Sequence, residues 1–515
     1  MNLLRITGPQ RLQGTVTASG SKNAALPAMA ACLLTDQPVE LSNVPCIEDI
    51  ETMGAMLRDL GVGVDQARGS TWRLRANQTP SVRPDPELAR RLRGSVLMLG
   101  PLLARTGEAL IPRPGGDDIG LRRLDQHLVG LRAMGATVDI SDNSYVASAR
   151  LPLHGARVDL DMPTVTGTEN LMMAACLAEG ITAIGNAARE PHVVDLARCL
   201  NGMGARITGA GTEQIVVEGT GGLLHGVRHS VTSDYVEAGT YMVAAAATGG
   251  DVTLDQLAPA DVRPLINKLR AAGCDIEEGT THVRVHRERT LRAVDVTTWP
   301  HPGFATDFQP QFVTLMTQAE GTSTISEAVH DNRFRHVDEL RRLGAEVTID
   351  GRSAIIHGPA ALRGTLVRVL DIRSGAAMVI AACCADGVTE IEDVYHLDRG
   401  YEALVDKLRM LGAQVEQVTR PVEASRWLRR VTSWRATAAS PGSRGCGPAL
   451  ATVSAAARGC AAPSQPGRRS EWRSPRRSRW AWPSSSRRVR RWSPRSRRWP
   501  GGWRSPRFRW SARRC

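Results

Sequence analysis

Two patterns of apolar and polar positions alternate along this chain. In the first, apolar residues three and four apart stop at a glycine that leads into a short alternating stretch. The copies are MLRDLGVGV, LVGLRAMGATV, CLNGMGARI, INKLRAAGCDI, ELRRLGAEV and DKLRMLGAQV. That spacing predicts an amphipathic helix, and the alternation after it predicts a strand. The glycine between them suits a helix end in the left-handed conformation, which strains glycine least. These glycines are Gly61, Gly135, Gly204, Gly273, Gly344 and Gly412, at spacings of 74, 69, 69, 71 and 68 residues. In the second pattern an Ala-rich helical run stops at a turn and enters another strand, as in MMAACLAEGITAIGNA and MVIAACCADGVTEIEDV. Six units of about 70 residues, each with two helices and several strands, therefore make up residues 1–420. They predict an α/β protein, arranged either as an open array or as two compact domains of three units. Three units give about 210 residues, inside the usual domain range, and two domains are the expected arrangement.

Charge divides the chain at the point where the repeat stops. Residues 421–515 hold 24 Arg, no Lys and two acids (Glu423 and Glu471), a net of +22. Residues 1–420 hold 41 bases against 50 acids, a net of −9, so the overall +13 describes only the tail. The seven cysteines before residue 421 show no Cys-x-x-Cys spacing, which fits a reducing compartment better than a zinc site or a disulfide framework. The first residues, MNLLRITGPQRLQG, lack the apolar stretch of a signal peptide, and no apolar run is long enough to span a bilayer. A cytoplasmic body is expected.

From SGSKNAALP (Ser19–Pro27) onward the chain resembles the UDP-N-acetylglucosamine branch of the enolpyruvyl transferase family. RGSVLMLGPLLAR, PGGDDIG, NAAREP, TDFQPQF, DNRFRHVDEL, DIRSGAAMVIA and YHLDRGYEALVDKLRMLGA follow in family order, covering about four-fifths of the chain. The resemblance implies a two-domain inside-out α/β barrel with three repeats per domain and the active site between the domains. The first domain would be residues 22–232, and the second residues 1–21 plus 233–420. The reaction implied moves enolpyruvate from phosphoenolpyruvate to the 3-hydroxyl of UDP-N-acetylglucosamine, releases phosphate and commits the sugar to peptidoglycan. It would proceed by addition and elimination through a tetrahedral ketal. No metal cluster, P-loop or dinucleotide fingerprint is present, and no cofactor is implied.

Such chemistry asks for cations around a phosphate and a carboxylate, an acid for the methylene carbon and a base for the hydroxyl. Lys22, in a loop that opens a helix, is the first candidate cation, with Asn23 beside it to hold substrate. The chain has two other lysines, Lys268 and Lys407, and both fall at exposed helical places in the repeat. Ser19 and Lys22 also satisfy the Ser-x-x-Lys pattern of serine acylases, but no Lys-Thr-Gly element accompanies them. Asp117 stands where the family commonly places a proton-donating Cys. With an ordinary pKa near 3.9, it must be kept protonated by burial or a nearby anion such as phosphate. Lacking a thiolate to alkylate, the protein is expected to be insensitive to fosfomycin. Asp307 matches the family acid near the attacking hydroxyl and is the candidate base. Arg93, Arg333, Arg373 and Arg399 match arginines around phosphoenolpyruvate, and Glu190 and Asp371 also align with site positions. Arg122, Asp125 and His127 keep a family motif, whereas Arg123 and Gln126 depart from it near the uridine pocket. Thr164, Val165 and Val329 fall where the family contacts the UDP portion.

The departures at Arg123 and Gln126 leave a different nucleotide acceptor open. The sister activity on shikimate 3-phosphate fits less well, because that branch usually has Lys-Ser where this chain has Lys22-Asn23. The tail carries nine of the chain's eleven Trp among Arg, Ser and Pro, without helical or strand periodicity. It reads as a disordered extension translated out of frame from GC-rich DNA. The other reading is a nucleic-acid-binding segment, in which Arg neutralises phosphate and Trp stacks on bases; the chain would then be a non-enzymatic binding protein.

Overall fold

The computed structural model describes residues 2–66, 69–141 and 143–419. The tail readings fall on residues outside these.

Helices of the first pattern occupy Glu48–Asp59, Asp125–Ala133, Pro191–Gly202, Arg263–Ala271, Val337–Arg342 and Leu404–Met410. All six glycines that follow them have φ between +88° and +103°, where a Cβ would be strained. The Ala-rich helices are Lys22–Ala30, Leu99–Thr106, Val165–Cys176, Tyr235–Thr248, Gln309–Met316 and Ile372–Cys384, and nearly every residue in them is buried. Small residues let these helices approach closely. A Cβ on Gly100 would lie 2.3 Å from the Asn170 carbonyl oxygen on a neighbouring helix.

Two hydrophobic cores result. One is drawn from residues between Ala24 and Val231, the other from Leu4–Ala18 together with residues between Tyr235 and Val415. Six small sheets flank them, five four-stranded and one three-stranded. Each four-stranded sheet combines one parallel pair with two antiparallel pairings. Among the described residues no sheet closes on itself. The amino terminus belongs with the second core. Gln13–Thr17 lies parallel to Asp251–Asp255, and Asn2–Gly8 lies between Gly387–Glu392 and Val415–Thr419. The chain therefore crosses between cores twice, near residues 18–22 and 231–234, and Gly20 pairs with Ser233 where the crossings meet.

One expectation about surface charge is corrected here. Lys407 does not occupy an exposed place: its side chain is 14% exposed and meets Glu237 and Ser19. Helical periodicity identifies the inward face of Leu404–Met410, but the crossing that covers its flank comes from far away in sequence.

Candidate active site

A cavity of about 710 Å³ opens between the halves built on the two cores. Lys22, the first residue of its helix, lines it with Asn23, and the Lys22 Nζ donates to Asp49 Oδ2 at 3.2 Å. The other oxygen of Asp49 accepts from Arg399 Nε at 2.9 Å. Arg399 Nη1 in turn donates to Asp117 Oδ1 at 2.5 Å. Lys22, Asp49, Arg399 and Asp117 thus form a chain of alternating charge, no side chain in it more than 14% exposed.

Asp117 is delivered by the loop after Pro112, which is docked over the cavity. The Leu121 amide donates to Asp331 Oδ1 at 3.1 Å, and Arg335 Nη1 donates to Asp118 Oδ2 at 3.1 Å. Gly115 packs so closely on this loop's neighbour that a Cβ would lie 1.5 Å from the Arg90 carbonyl oxygen. Burial alone does not keep Asp117 protonated. Burial pushes its pKa up, but Arg399, Lys22 and His396 together hold it below the ordinary carboxylate range.

Asp307 forms a second cluster. Arg333 Nη2 donates to its Oδ1 at 2.9 Å and Arg373 Nε at 3.2 Å. Burial again works upward, and the two guanidiniums outweigh it, leaving Asp307 well below the usual range. In this state it is a strong hydrogen-bond acceptor and a weak base. Arg373 is held by the turn that starts its helix: Asp371 accepts from the Arg373 and Ser374 amides, while Ser374 Oγ returns a bond to the Asp371 carbonyl oxygen. Asp371 thus acts as a cap and does not line the cavity. Arg122 stands among Asp117, Arg333, Asp307 and Arg399; burial, the largest cause, lowers its pKa. Burial and Arg122 bring Arg93 down to about 10.

Arg93, Asp125, Thr164, Val165, Val329, Arg333 and Arg373 all line the cavity, as do Arg123, Gln126 and Glu190. Gln126 is buried and bonds Asp161 in both directions, Nε2 to Oδ2 at 3.0 Å and the Asp161 amide to Oε1 at 2.8 Å. It therefore braces the segment that leads to Thr164, which caps the helix Val165–Cys176. Val329 is placed by Glu327, a buried acid that also takes Thr298 and Thr306.

His127 is the exception among the candidate substrate contacts. Fully buried, it does not line the cavity; its ring bonds Thr166 Oγ1 at 3.1 Å and Asn170 Nδ2 at 3.2 Å. Burial and Arg93 depress its pKa to about 3, so it is a neutral brace behind the wall.

Sequence reasoning missed Asp49, Glu327, His396, Glu169 and His192. The first three carry no local signal beyond a polar residue at an element's end. Glu169 and His192 do carry one, a charged or polar group inside an apolar helical run. Both line the cavity with buried atoms that lack a protein partner.

This geometry can be set beside known proteins. Residues 6–408 match the family of EPSP synthase (3-phosphoshikimate 1-carboxyvinyltransferase). A UDP-N-acetylglucosamine 1-carboxyvinyltransferase from Sorangium cellulosum is 50% identical over 422 residues, covering 81% of this chain and 99% of the relative. Another of the same name, from Magnetococcus marinus, is 48% identical over 82% of this chain and 100% of its own. Among solved structures, the enolpyruvyl transferase NikO from Streptomyces tendae superposes with a TM-score of 0.73 at 27% identity, over 82% of this chain and 99% of that one. EPSP synthase from Acinetobacter baumannii shares the fold at a TM-score of 0.64 and 18% identity, over 81% of this chain and 100% of its own. With a family model matched over residues 6–408 and about half of the aligned residues shared with two relatives of that name, this chain belongs to the enolpyruvyl transferases, in the UDP-N-acetylglucosamine 1-carboxyvinyltransferase family.

Proposed function

We infer that this protein is the enzyme that transfers enolpyruvate from phosphoenolpyruvate to the 3-hydroxyl of UDP-N-acetylglucosamine, in the cytoplasm, as the committed step of peptidoglycan synthesis and hence of cell-wall growth and division. The observation that carries this reading is the meeting of six cations, Lys22, Arg93, Arg122, Arg333, Arg373 and Arg399, with Asp117 and Asp307 in one cavity. A small substrate bearing both phosphate and carboxylate suits such a set, since charge-assisted bonds to several fixed donors hold and orient it. On this reading the two cores are the two domains of the family's inside-out α/β barrel, 22–232 and 1–21 with 233–420, and closing them completes the site.

Phosphate arriving beside Lys22 and Arg399 weakens their hold on Asp117, and the burial that remains raises its pKa. The protonated Asp117 then gives its proton to the methylene carbon. Substrate anions that engage Arg333 and Arg373 likewise loosen the clamp on Asp307, which takes the proton of the attacking hydroxyl as the new C–O bond forms. Elimination returns the methyl proton to Asp117, breaks the C–O bond to phosphate and releases phosphate carrying the hydroxyl's proton. Asn23, Thr164, Val165, Val329 and Asp125 would hold the sugar nucleotide.

Phosphate release from phosphoenolpyruvate, with UDP-N-acetylglucosamine, UMP or shikimate 3-phosphate as acceptor, tests the assignment. Turnover with UDP-N-acetylglucosamine alone is expected. Turnover with UMP instead would move the protein to a nucleotide-modifying role, and a folded chain silent with all three would remove the catalytic reading.

A further inference from the structure

Lys407 stands outside the cavity yet is tied to the backbone that presents Lys22. Its Nζ donates to Glu237 Oε1 at 2.5 Å and to Ser19 Oγ at 2.6 Å. Glu237, 2% exposed, uses its other oxygen to accept the Ser19 amide at 2.8 Å. The Ser19 carbonyl oxygen accepts from the Asp234 amide at 2.7 Å. Asp234 then closes the circuit: Oδ1 accepts from the Val236 and Glu237 amides, and Oδ2 accepts from the Lys22 amide at 3.3 Å. One ammonium thus joins both crossings between the cores, Ser19 on the first and Glu237 just after the second.

A purely stabilising role explains this arrangement poorly. A buried ion pair is weak evidence for stability, because apolar residues of similar volume often do as well, whereas a pair of fixed geometry specifies one arrangement. Here the arrangement specified is the turn at residues 19–22. There is little slack in it, since a Cβ on Gly20 would lie 1.6 Å from the Asn43 carbonyl oxygen. The helix Leu404–Met410 also follows shortly after Arg399, which holds the Lys22 side chain through Asp49. The same carboxy-terminal segment therefore constrains Lys22 at both its backbone and its ammonium.

We propose that Lys407 is a positioning residue for the phosphate-binding end of the site, fixing through Ser19, Glu237 and Asp234 the backbone turn from which Lys22 reaches the phosphoenolpyruvate. This rests on the transferase reading above. Substrate binding of this kind loses strength when a donor moves by about 1 Å, so the effect falls on the substrate that Lys22 meets.

The test uses the full chain with Lys407→Arg, Lys407→Met and the double variant Lys407→Met with Glu237→Gln, which leaves no buried charge unpaired. In the double variant a melting temperature close to wild type is expected, with KM for phosphoenolpyruvate raised about tenfold or more and KM for the sugar nucleotide, which Asn23 on the same turn meets among several other residues, raised clearly less. Lys407→Arg, which keeps the charge, is expected to recover most of the loss. Unchanged KM for phosphoenolpyruvate in the folded double variant overturns the proposal. So does a uniform loss in both KM values and kcat that tracks a lowered melting temperature, because that marks a structural role. If the wild-type chain itself fails to release phosphate, the transferase reading falls, and this inference with it.

Discussion

Arg399 and Asp117, 282 residues apart, meet at 2.5 Å, so the candidate proton donor begins as an ionised partner of a guanidinium. Asp49 holds the other edge of Arg399 at 2.9 Å, and Lys22 stands one link further on. On the proposed transferase reading, Asp117 must therefore gain its proton once substrate binds.

Asp117→Asn is expected to lower phosphate release by about 100- to 10,000-fold, the range for a lost general acid, while phosphoenolpyruvate still binds. Asp117→Cys restores a donor and introduces a thiol that can be alkylated. Wild type is expected to resist fosfomycin, and the Cys variant to show time-dependent inactivation by it. Low-micromolar inactivation of wild type would defeat the prediction.

Binding of phosphoenolpyruvate is expected to take up a proton. Arg399, Lys22 and His396 hold Asp117 below its ordinary range, and a phosphate that engages Arg399 and Lys22 is expected to raise it. A group ionised when free and protonated when bound makes affinity fall as pH rises. Calorimetry in buffers of different ionisation enthalpy measures the uptake, which should disappear in Asp117→Asn. Equal uptake in the variant would assign the proton elsewhere.

Glu169 gives a stability prediction of definite sign. Burial, helped by Glu190, pushes its carboxyl well above the ordinary 4.5. The folded state then keeps a proton that the unfolded chain loses above pH about 4.5, so this contribution is fully present below that pH and is lost as pH rises through the folded value. The slope is about 1.4 kcal/mol per pH unit at most. Glu169→Gln, which cannot ionise, should gain on wild type as pH rises above about 4.5 in thermal melts. A constant difference across that range would show that Glu169 does not titrate in this way.

Gly115→Ala addresses the docked loop. Its Cβ would meet the Arg90 carbonyl oxygen at 1.5 Å, so the loop must lift and carry Asp117 away. Turnover is expected to fall by about 100-fold, as for a misplaced reacting group, with little change in melting temperature because the loop lies over the cavity and outside the cores. A normal kcat would mean that catalysis does not use this loop position.

Much of this protein is decided by local pattern. Helical spacing and a closing glycine give the six amphipathic helices, because backbone geometry responds to neighbours within a few residues, and all six glycines take the left-handed φ. The motif residues were legible for a related reason: a cation at a helix start or a Gly-rich turn is a local arrangement. Most of these motif residues line the one cavity, but their ionisation and roles come from partners far away in sequence: Asp307 is held by Arg333 and Arg373, and Asp117 and His127 differ most from expectation. Asp117 is ionised because Arg399 reaches it across 282 residues, and His127 is a brace because the helix Val165–Cys176 covers it. The repeat pattern places Lys407 on the surface, yet it lies against Ser19, 388 residues away. Periodicity tells which side of an element turns inward. It carries no information about which distant charge waits there, and in a buried site that neighbour sets ionisation and role through the low local dielectric.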